Sequence, residues 1–271
     1  MFRTRFKQQI VTEFLPPSRP RKIQNAIVLC DGMPSIPRKQ PLMEFLARQG
    51  FWVFYPRYRG AWESDGQFLK RSPHEDILDV VAELPKGFQD IAFGKHFAVS
   101  PDHVFVIGGS FGGAAAILSS RDARVTKVIA NCPVVNWAIL DRSEKVETSK
   151  PGYAGYIREA FGNGYRLTDA NWQKLRSGTF YNPWHHTMKI DGTKIMIFHA
   201  KDDPHVPYGD SKVFAEQTGA TFKSLNRGGH VRTEYIVQKY WTQIKTFFDS
   251  PRNSAQIGRI ETLNSVRRAR G

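Results

Sequence analysis

Gly108-Gly109-Ser110-Phe111-Gly112-Gly113 follows the apolar run His103–Ile107 and leads into the Ala-rich run Gly112–Ser120. A short β-branched and aromatic run passing straight into a helical one through G-x-S-x-G is the context of a nucleophile elbow. The serine must sit in a tight, strained turn with its hydroxyl exposed. Glycines two residues to either side let strand and helix pass without a β-carbon clash. The helix N-terminus then offers backbone N–H groups and the positive end of its dipole to a developing oxyanion. A phosphate-binding turn is the competing reading. The stretch lacks the Lys-Ser/Thr ending of a P-loop and the third-glycine spacing of a dinucleotide fingerprint.

Outward from the elbow, four more short apolar runs share its character: Ala26–Cys30, Trp52–Tyr55, Val128–Asn131 and Ile195–Phe198. Such runs read as strands buried on both faces, as in a parallel sheet. Helical stretches separate them. Leu42–Gln49 carries an apolar stripe and stops at Gly50. Ser72–Glu75 reads as a capping box with Pro73 at the first helical position. Tyr235–Phe248 reads as one long amphipathic helix. The alternation predicts an α/β fold with a mostly parallel central sheet flanked by helices. Before it, Gln8–Phe14 reads as an N-terminal strand. Residues 134–192 hold about sixty residues without a clear strand, rich in Trp, Tyr and Gly. So long a segment needs its own structure or a task, and it reads as a helical cap inserted before the acid-bearing strand.

A serine hydroxyl is a weak nucleophile and needs a base, which needs an orienting acid. The expected chain order is serine, acid, histidine. Strand Ile195–Phe198 runs into Asp202 and Asp203, and an acid just past a strand's carboxyl end is well placed as the orienter. After the expected strand Thr221–Leu225 comes Gly228-Gly229-His230, and His230 is the preferred base. His205 lies too close to the acid's own turn to be preferred. The oxyanion donors are the backbone N–H groups of Phe111 and, on the loop after Ala26–Cys30, of Met33. His185-His186 diverge and lack a completing carboxylate, and Cys30 and Cys132 have no metal-ligand spacing, so no metal and no cofactor is expected. His199 reads as a hydrogen-bonded core or edge residue.

At 271 residues, 41% hydrophobic and 13% aromatic, the chain can bury a sizeable core, which excludes wholesale disorder. No apolar run reaches the roughly 18–20 residues of a membrane helix, and the basic N-terminus lacks a secretory h-region. Two cysteines are too few for a disulfide scaffold and suit a reduced, cytoplasmic setting. The net charge is +14. Residues 1–25 carry six Lys/Arg against one Glu, and residues 251–271 carry five Arg against one Glu. The excess therefore sits at the ends, as expected of solvated, mobile termini. No helix-turn-helix, zinc-finger or RNP pattern accompanies it, so no nucleic-acid partner is expected. The chain divides into one domain over 1–250, with the cap at about 134–192, and a basic tail over 251–271.

In these motifs the chain resembles the α/β-hydrolase superfamily, and within it the catalytic domain of the prolyl oligopeptidase family. Asp31–Pro34 sits where that family often has His-Gly-Gly-Pro. Tyr58–Gly60 with Trp62 is similar to its arginine-glycine stretch, Cys132–Trp137 to its Pro-Val-Asp-Trp segment, and Tyr181–Pro183 to its Ser-Pro segment. Asp203–Pro207 matches Asp-x-x-Val-Pro, which implies Asp203 rather than Asp202 as the triad acid. The resemblance implies a Ser110–Asp203–His230 triad acting through an acyl-enzyme. The chain has no room for the N-terminal β-propeller of larger members and no paired glutamates placed to hold a free amine. Ester hydrolysis, carboxylesterase-like, is therefore the expected activity, with a peptidase or aminopeptidase acting on short peptides as the alternative. A non-catalytic binding protein on the same fold is the remaining reading, and the basic ends raise weak anionic-surface binding. The cap aromatics Trp137, Tyr153, Tyr156 and Trp184 are expected to wall the substrate pocket. The oligomeric state is not legible in the sequence.

Overall fold

A computed structural model describes residues 1–19, 22–140 and 152–251. The chain opens with β1 (Phe2–Phe6) and β2 (Ile10–Leu15), then β3 (Asn25–Cys30), α1 (Gln40–Arg48), β4 (Phe51–Pro56) and α2 (Pro73–Glu83). A short hairpin, β5 (Phe88–Gln89) and β6 (His96–Phe97), precedes β7 (His103–Gly109), α3 (Phe111–Ser119) and β8 (Val125–Asn131). Helices α4 (Trp137–Leu140), α5 (Tyr153–Phe161) and α6 (Asp169–Arg176) follow. The last part is β9 (Ile195–Ala200), α7 (Tyr208–Thr218), β10 (Thr221–Leu225), α8 (Thr233–Lys239) and α9 (Trp241–Asp249).

Eight strands form one sheet in the order β1-β2-β4-β3-β7-β8-β9-β10. The β1–β2 and β2–β4 pairings are antiparallel, and every pairing from β4 to β10 is parallel. Strands β8 and β9 are buried at every residue, and β3 and β7 at all but the first. That is the reason their sequences are mostly apolar rather than alternating, with Thr126, Lys127, Asn131 and His199 as buried polar exceptions. One core packs Ile77, Val80 and Val81 of α2, Ala114–Leu118 of α3 and Phe214 of α7 on one sheet face. The other packs Leu42, Met43 and Leu46 of α1, Ile236 and Val237 of α8, and Ile244 and Phe248 of α9. The architecture is that of an α/β hydrolase. The chain leaves β3 toward β4 on one side and returns to β7 on the other. Loops therefore diverge at the carboxyl ends of β3 and β7, where open α/β sheets place their sites.

Three local expectations are corrected. The N-terminal strand is a hairpin: Lys7 and Gln8 both take positive φ (48° and 58°), folding β1 back on β2. The helix at Ser72 starts as expected at Pro73, but there is no reciprocal capping box. The Ser72 hydroxyl pairs instead with His74 Nδ1 at 2.7 Å, and Glu75 turns to Arg71. The run Tyr235–Phe248 is two helices, because Tyr240 (φ −105°, ψ 21°) leaves helical geometry, its ring tilted against Phe198 at 5.2 Å. The described part of the 134–192 segment is helical. It joins the domain through isolated bridges of Tyr165 with Ala61 and Leu167 with Phe68. The basic tail lies outside the described residues apart from Pro251. Among the described residues, no helix is long and apolar enough to cross a membrane.

Candidate active site

The elbow is built by close approach. Strand β7 ends at Gly109, Ser110 takes φ 55° and ψ −124°, and α3 starts at Phe111. A β-carbon at Gly108 would lie 2.1 Å from Gly112 O, and one at Gly112 would lie 2.4 Å from Asp31 O. Only glycine lets strand, helix and the loop after β3 meet here. The turn is held by Ser110 N–H to Asn131 O at 2.9 Å, and by Gly113 and Val134 N–H to Ser110 O at 3.0 and 3.1 Å. Phe111 is the first residue of α3, so its N–H has no acceptor within the helix. It lies at the positive end of the helix dipole.

Asp203, the expected acid, lies in the turn after β9. Its fully buried side chain accepts three hydrogen bonds and meets a second imidazole. Oδ1 accepts from the backbone N–H groups of His205 (2.9 Å) and Val206 (3.0 Å). Oδ2 accepts from His230 Nδ1 at 2.8 Å and lies 3.2 Å from His199 Nε2, which also faces Val206 O at 3.2 Å. A carboxylate offers about four acceptor positions, and each meets a partner here. Burial pushes this carboxyl up, but the bonds from His199 and His230, with the backbone donors, outweigh it and hold the group well below the usual range. Asp202 has a different task. Its exposed carboxylate accepts from Gly229 N–H at 2.9 Å and Gly228 N–H at 3.3 Å, fixing the loop that carries His230.

With Nδ1 engaged by Asp203, the His230 ring has Nε2 left to serve another partner. Ser110 and His230 line one cavity of about 510 Å³. No hydrogen bond joins the Ser110 hydroxyl to the His230 ring among the described residues. Such contacts commonly tighten only with substrate in place. The ring of His205 stands 5.4 Å from that of His230 and borders the same cavity.

The loop after β3 brings Met33 to the elbow. A β-carbon on the neighbouring Gly32 would lie 3.9 Å from Ser110 Cβ. Asp31, where the family motif often has histidine, is the anchor of this loop. Its carboxylate accepts from Gly32 N–H (3.0 Å), Tyr55 OH (2.7 Å) and the Ser35 hydroxyl. Tyr58 OH donates to Asp31 O at 3.1 Å. Lys39 lies 3.6 Å from Asp31 Oδ1 and 2.8 Å from Glu234 Oε1. It joins the loop after β3 to the segment just after His230. Burial pushes the Glu234 carboxyl up, but the Lys39 charge and hydrogen bond, its own backbone N–H and the Arg232 charge together outweigh this and leave it lowered.

Trp137, Tyr153 and Tyr156 line the cavity together with Met33 and Ser110. Trp184 stands apart from it. Its backbone N–H donates to Val135 O at 2.9 Å, and its ring packs 6.5 Å from Phe214 of α7. The three cavity aromatics and Trp184 look alike in sequence, but Asn182 caps the turn that carries Trp184 toward α7. Among the described residues, Cys132, Asp203 and His230 bring three potential metal-ligand atoms within 4.8 Å of one another. The set does not fit a resident cation. The Asp203 oxygens are filled by donors, His230 Nδ1 is held by Asp203, and burial pushes the Cys132 thiol up, away from the thiolate a metal needs.

His199, expected as a hydrogen-bonded core or edge residue, is buried and bonded as expected, with Asp203 beside it. Two contributors were not singled out by sequence reasoning: Lys39, and Asn131, whose Nδ2 donates to Val231 O at 2.7 Å beside His230. A signal existed for His199, which lies four residues before Asp203 at the end of β9. No local pattern marks Asn131 or Lys39.

Residues 39–223 match the model of the prolyl oligopeptidase family. Among solved structures, Est1E from Butyrivibrio proteoclasticus, with ferulic acid bound, superposes with a TM-score of 0.67 at 16% identity, covering 92% of this chain and 100% of that one. Pyrococcus furiosus esterase Pf2001 gives 0.63 at 17% identity, over 90% of this chain and 88% of that one. Pyrococcus horikoshii acylaminoacyl peptidase gives 0.63 at 13% identity, over 93% of this chain and 42% of that longer one. These likenesses show a shared fold. No curated protein sequence matches the chain.

Proposed function

The chain belongs to the prolyl oligopeptidase family, and from that premise we propose that it is a serine hydrolase whose triad is Ser110, Asp203 and His230, acting on small esters. The observation that carries this is the 2.8 Å bond from His230 Nδ1 to the buried Asp203 carboxylate, on the wall of the cavity that also holds the elbow serine. His230, oriented by Asp203, takes the Ser110 proton through Nε2 as Ser110 attacks the carbonyl carbon. The Met33 and Phe111 N–H groups receive the oxyanion. The imidazolium returns the proton to the leaving alcohol, and water repeats the sequence on the acyl-enzyme.

The same geometry would cleave an amide, and the family favours keeping a peptidase acting on short peptides as the second reading. The aromatic wall of Trp137, Tyr153 and Tyr156 suits an apolar or aromatic portion of a small substrate. A cytoplasmic setting agrees with the two buried free thiols, Cys30 and Cys132.

The test is a panel of p-nitrophenyl esters of increasing chain length beside aminoacyl p-nitroanilides, run on the wild type and on Ser110→Ala. Ester turnover that exceeds amide turnover and vanishes with Ser110→Ala supports the reading. Amide turnover in excess supports the peptidase. Activity that survives in Ser110→Ala on either substrate set rejects both.

A further inference from the structure

The triad acid carries a second imidazole. His199, in β9, is fully buried, and its Nε2 lies 3.2 Å from Asp203 Oδ2 and 3.2 Å from Val206 O. Both partners are acceptors, so Nε2 must carry the hydrogen. That fixes the tautomer and leaves Nδ1 bare. Nδ1 is itself buried without a hydrogen-bond partner. An unpaired buried acceptor lowers stability, and an aliphatic side chain would avoid that cost. Packing alone therefore does not account for an imidazole here, whereas its Nε2–H does.

We propose that His199 is a positioning residue: its Nε2–H holds the Asp203 carboxylate and draws off part of its charge, setting the orientation and basicity of His230. This rests on the triad reading above. Through Oδ2, Asp203 is shared between the two rings, and through Oδ1 it is pinned by backbone donors. On the His230 side, the other ionisable or charged groups are His205, the Cys132 thiol, Asp202 with Arg227 beside it, and Arg232 and Glu234 with Lys39. On the His199 side are Tyr208, ring to ring at 5.7 Å, and Asp210 on α7. The imidazoles against Oδ2 are those of His199 and His230, and the Cys132 thiol also lies against the carboxylate.

Without His199, the carboxylate has only one imidazole to hold. It then stabilises the His230 imidazolium more strongly, and His230 gives up its proton at higher pH. Because the neutral ring is the base, the acid limb of the rate profile moves upward. The carboxylate is also freer to tilt, so turnover falls. His199 does not line the cavity, so KM is expected to change little.

The experiment compares the full-length wild type with His199→Leu and His199→Met, which lack the donor, and with His199→Gln, which restores an N–H at about the same reach. Each is assayed for kcat, KM and pH profile on a p-nitrophenyl ester, with circular dichroism as a check on folding. The proposal expects His199→Leu and His199→Met to lose roughly tenfold to a hundredfold in kcat, with KM nearly unchanged and the acid limb displaced upward. His199→Gln recovers most of the turnover and the wild-type limb. Wild-type kcat and pH profile in either folded donor-less variant, with Ser110→Ala inactive, would overturn the role of His199 and leave the triad standing. A His199→Gln variant as impaired as the donor-less ones would overturn it equally. Full activity in Ser110→Ala would instead remove the triad reading itself.

Discussion

Lys39 Nζ donates to Glu234 Oε1 at 2.8 Å across 195 positions of sequence, tying the segment after the β3 loop to the segment after His230. The same ammonium lies 3.6 Å from Asp31 Oδ1. All three side chains are largely shielded, so Lys39→Met strips Asp31 of its cation and leaves Glu234 only the longer Arg232 contact at 3.7 Å, which costs more than losing an exposed pair. The expected result is a fall in kcat of roughly tenfold with a loss of about 1–3 kcal/mol in stability. A double-mutant cycle with Glu234→Gln, read by ester kinetics and urea unfolding, should show coupling between the two sites.

Gly112→Ala should be among the most damaging single changes. The added β-carbon would meet Asp31 O at 2.4 Å and Cys30 O at 2.5 Å, both backbone atoms that cannot swing away. Either the helix moves off β3 or the Met33 loop moves off the elbow. The variant should show a lowered melting temperature and ester turnover below about one per cent of wild type, given how steeply such catalysis depends on placement. Wild-type kinetics in Gly112→Ala would contradict the described contact.

Asp203→Asn tests the acid through both activity and stability. Turnover should fall by roughly three to four orders of magnitude, because an amide cannot hold His230 in the required tautomer. The folded carboxyl of the wild type titrates below its unfolded value of about 3.9. Its stabilisation is therefore fully present above about pH 4 and is lost as pH falls through the folded pKa. Thermal unfolding of both proteins across pH should show the wild-type advantage at neutral pH shrinking below about pH 4.

His74 acts in the other direction. Burial, with the nearby Arg121 charge, lowers its pKa to about 4 from 6.5. The unfolded chain then binds the proton first, so stability falls as pH drops from about 6.5 to 4, by up to about 3 kcal/mol. His74→Gln should flatten the melting temperature over that interval. An unchanged slope would show that His74 titrates normally in the folded protein.

The parts of this molecule legible in sequence are those whose physics is local. The elbow needs glycines at fixed offsets from Ser110. Asp203 needs the two N–H groups immediately after it. The parallel strands need mostly apolar runs because both of their faces are covered. What escaped reading depends on partners distant in sequence or on turns of unusual composition. The β1–β2 hairpin turns on Lys7 and Gln8, two positive-φ positions filled by residues that announce no turn, where Asn-Gly is the usual signal. The break at Tyr240 carries neither Gly nor Pro, and the apolar spacing continues across it. Trp184 and Trp137 differ only in which element they meet. The roles of Lys39 and Asn131 exist only once β3, β8 and the His230 loop are side by side.

The central claim is that Ser110 is the nucleophile, and its most direct test is intact-protein and peptide mass spectrometry after treatment with a fluorophosphonate. The account predicts a single adduct on the peptide carrying Ser110, formed in step with loss of ester hydrolysis and absent from Ser110→Ala and strongly slowed in His230→Ala. An enzyme that hydrolyses esters while Ser110 stays unmodified, or whose adduct maps to another residue, would contradict it.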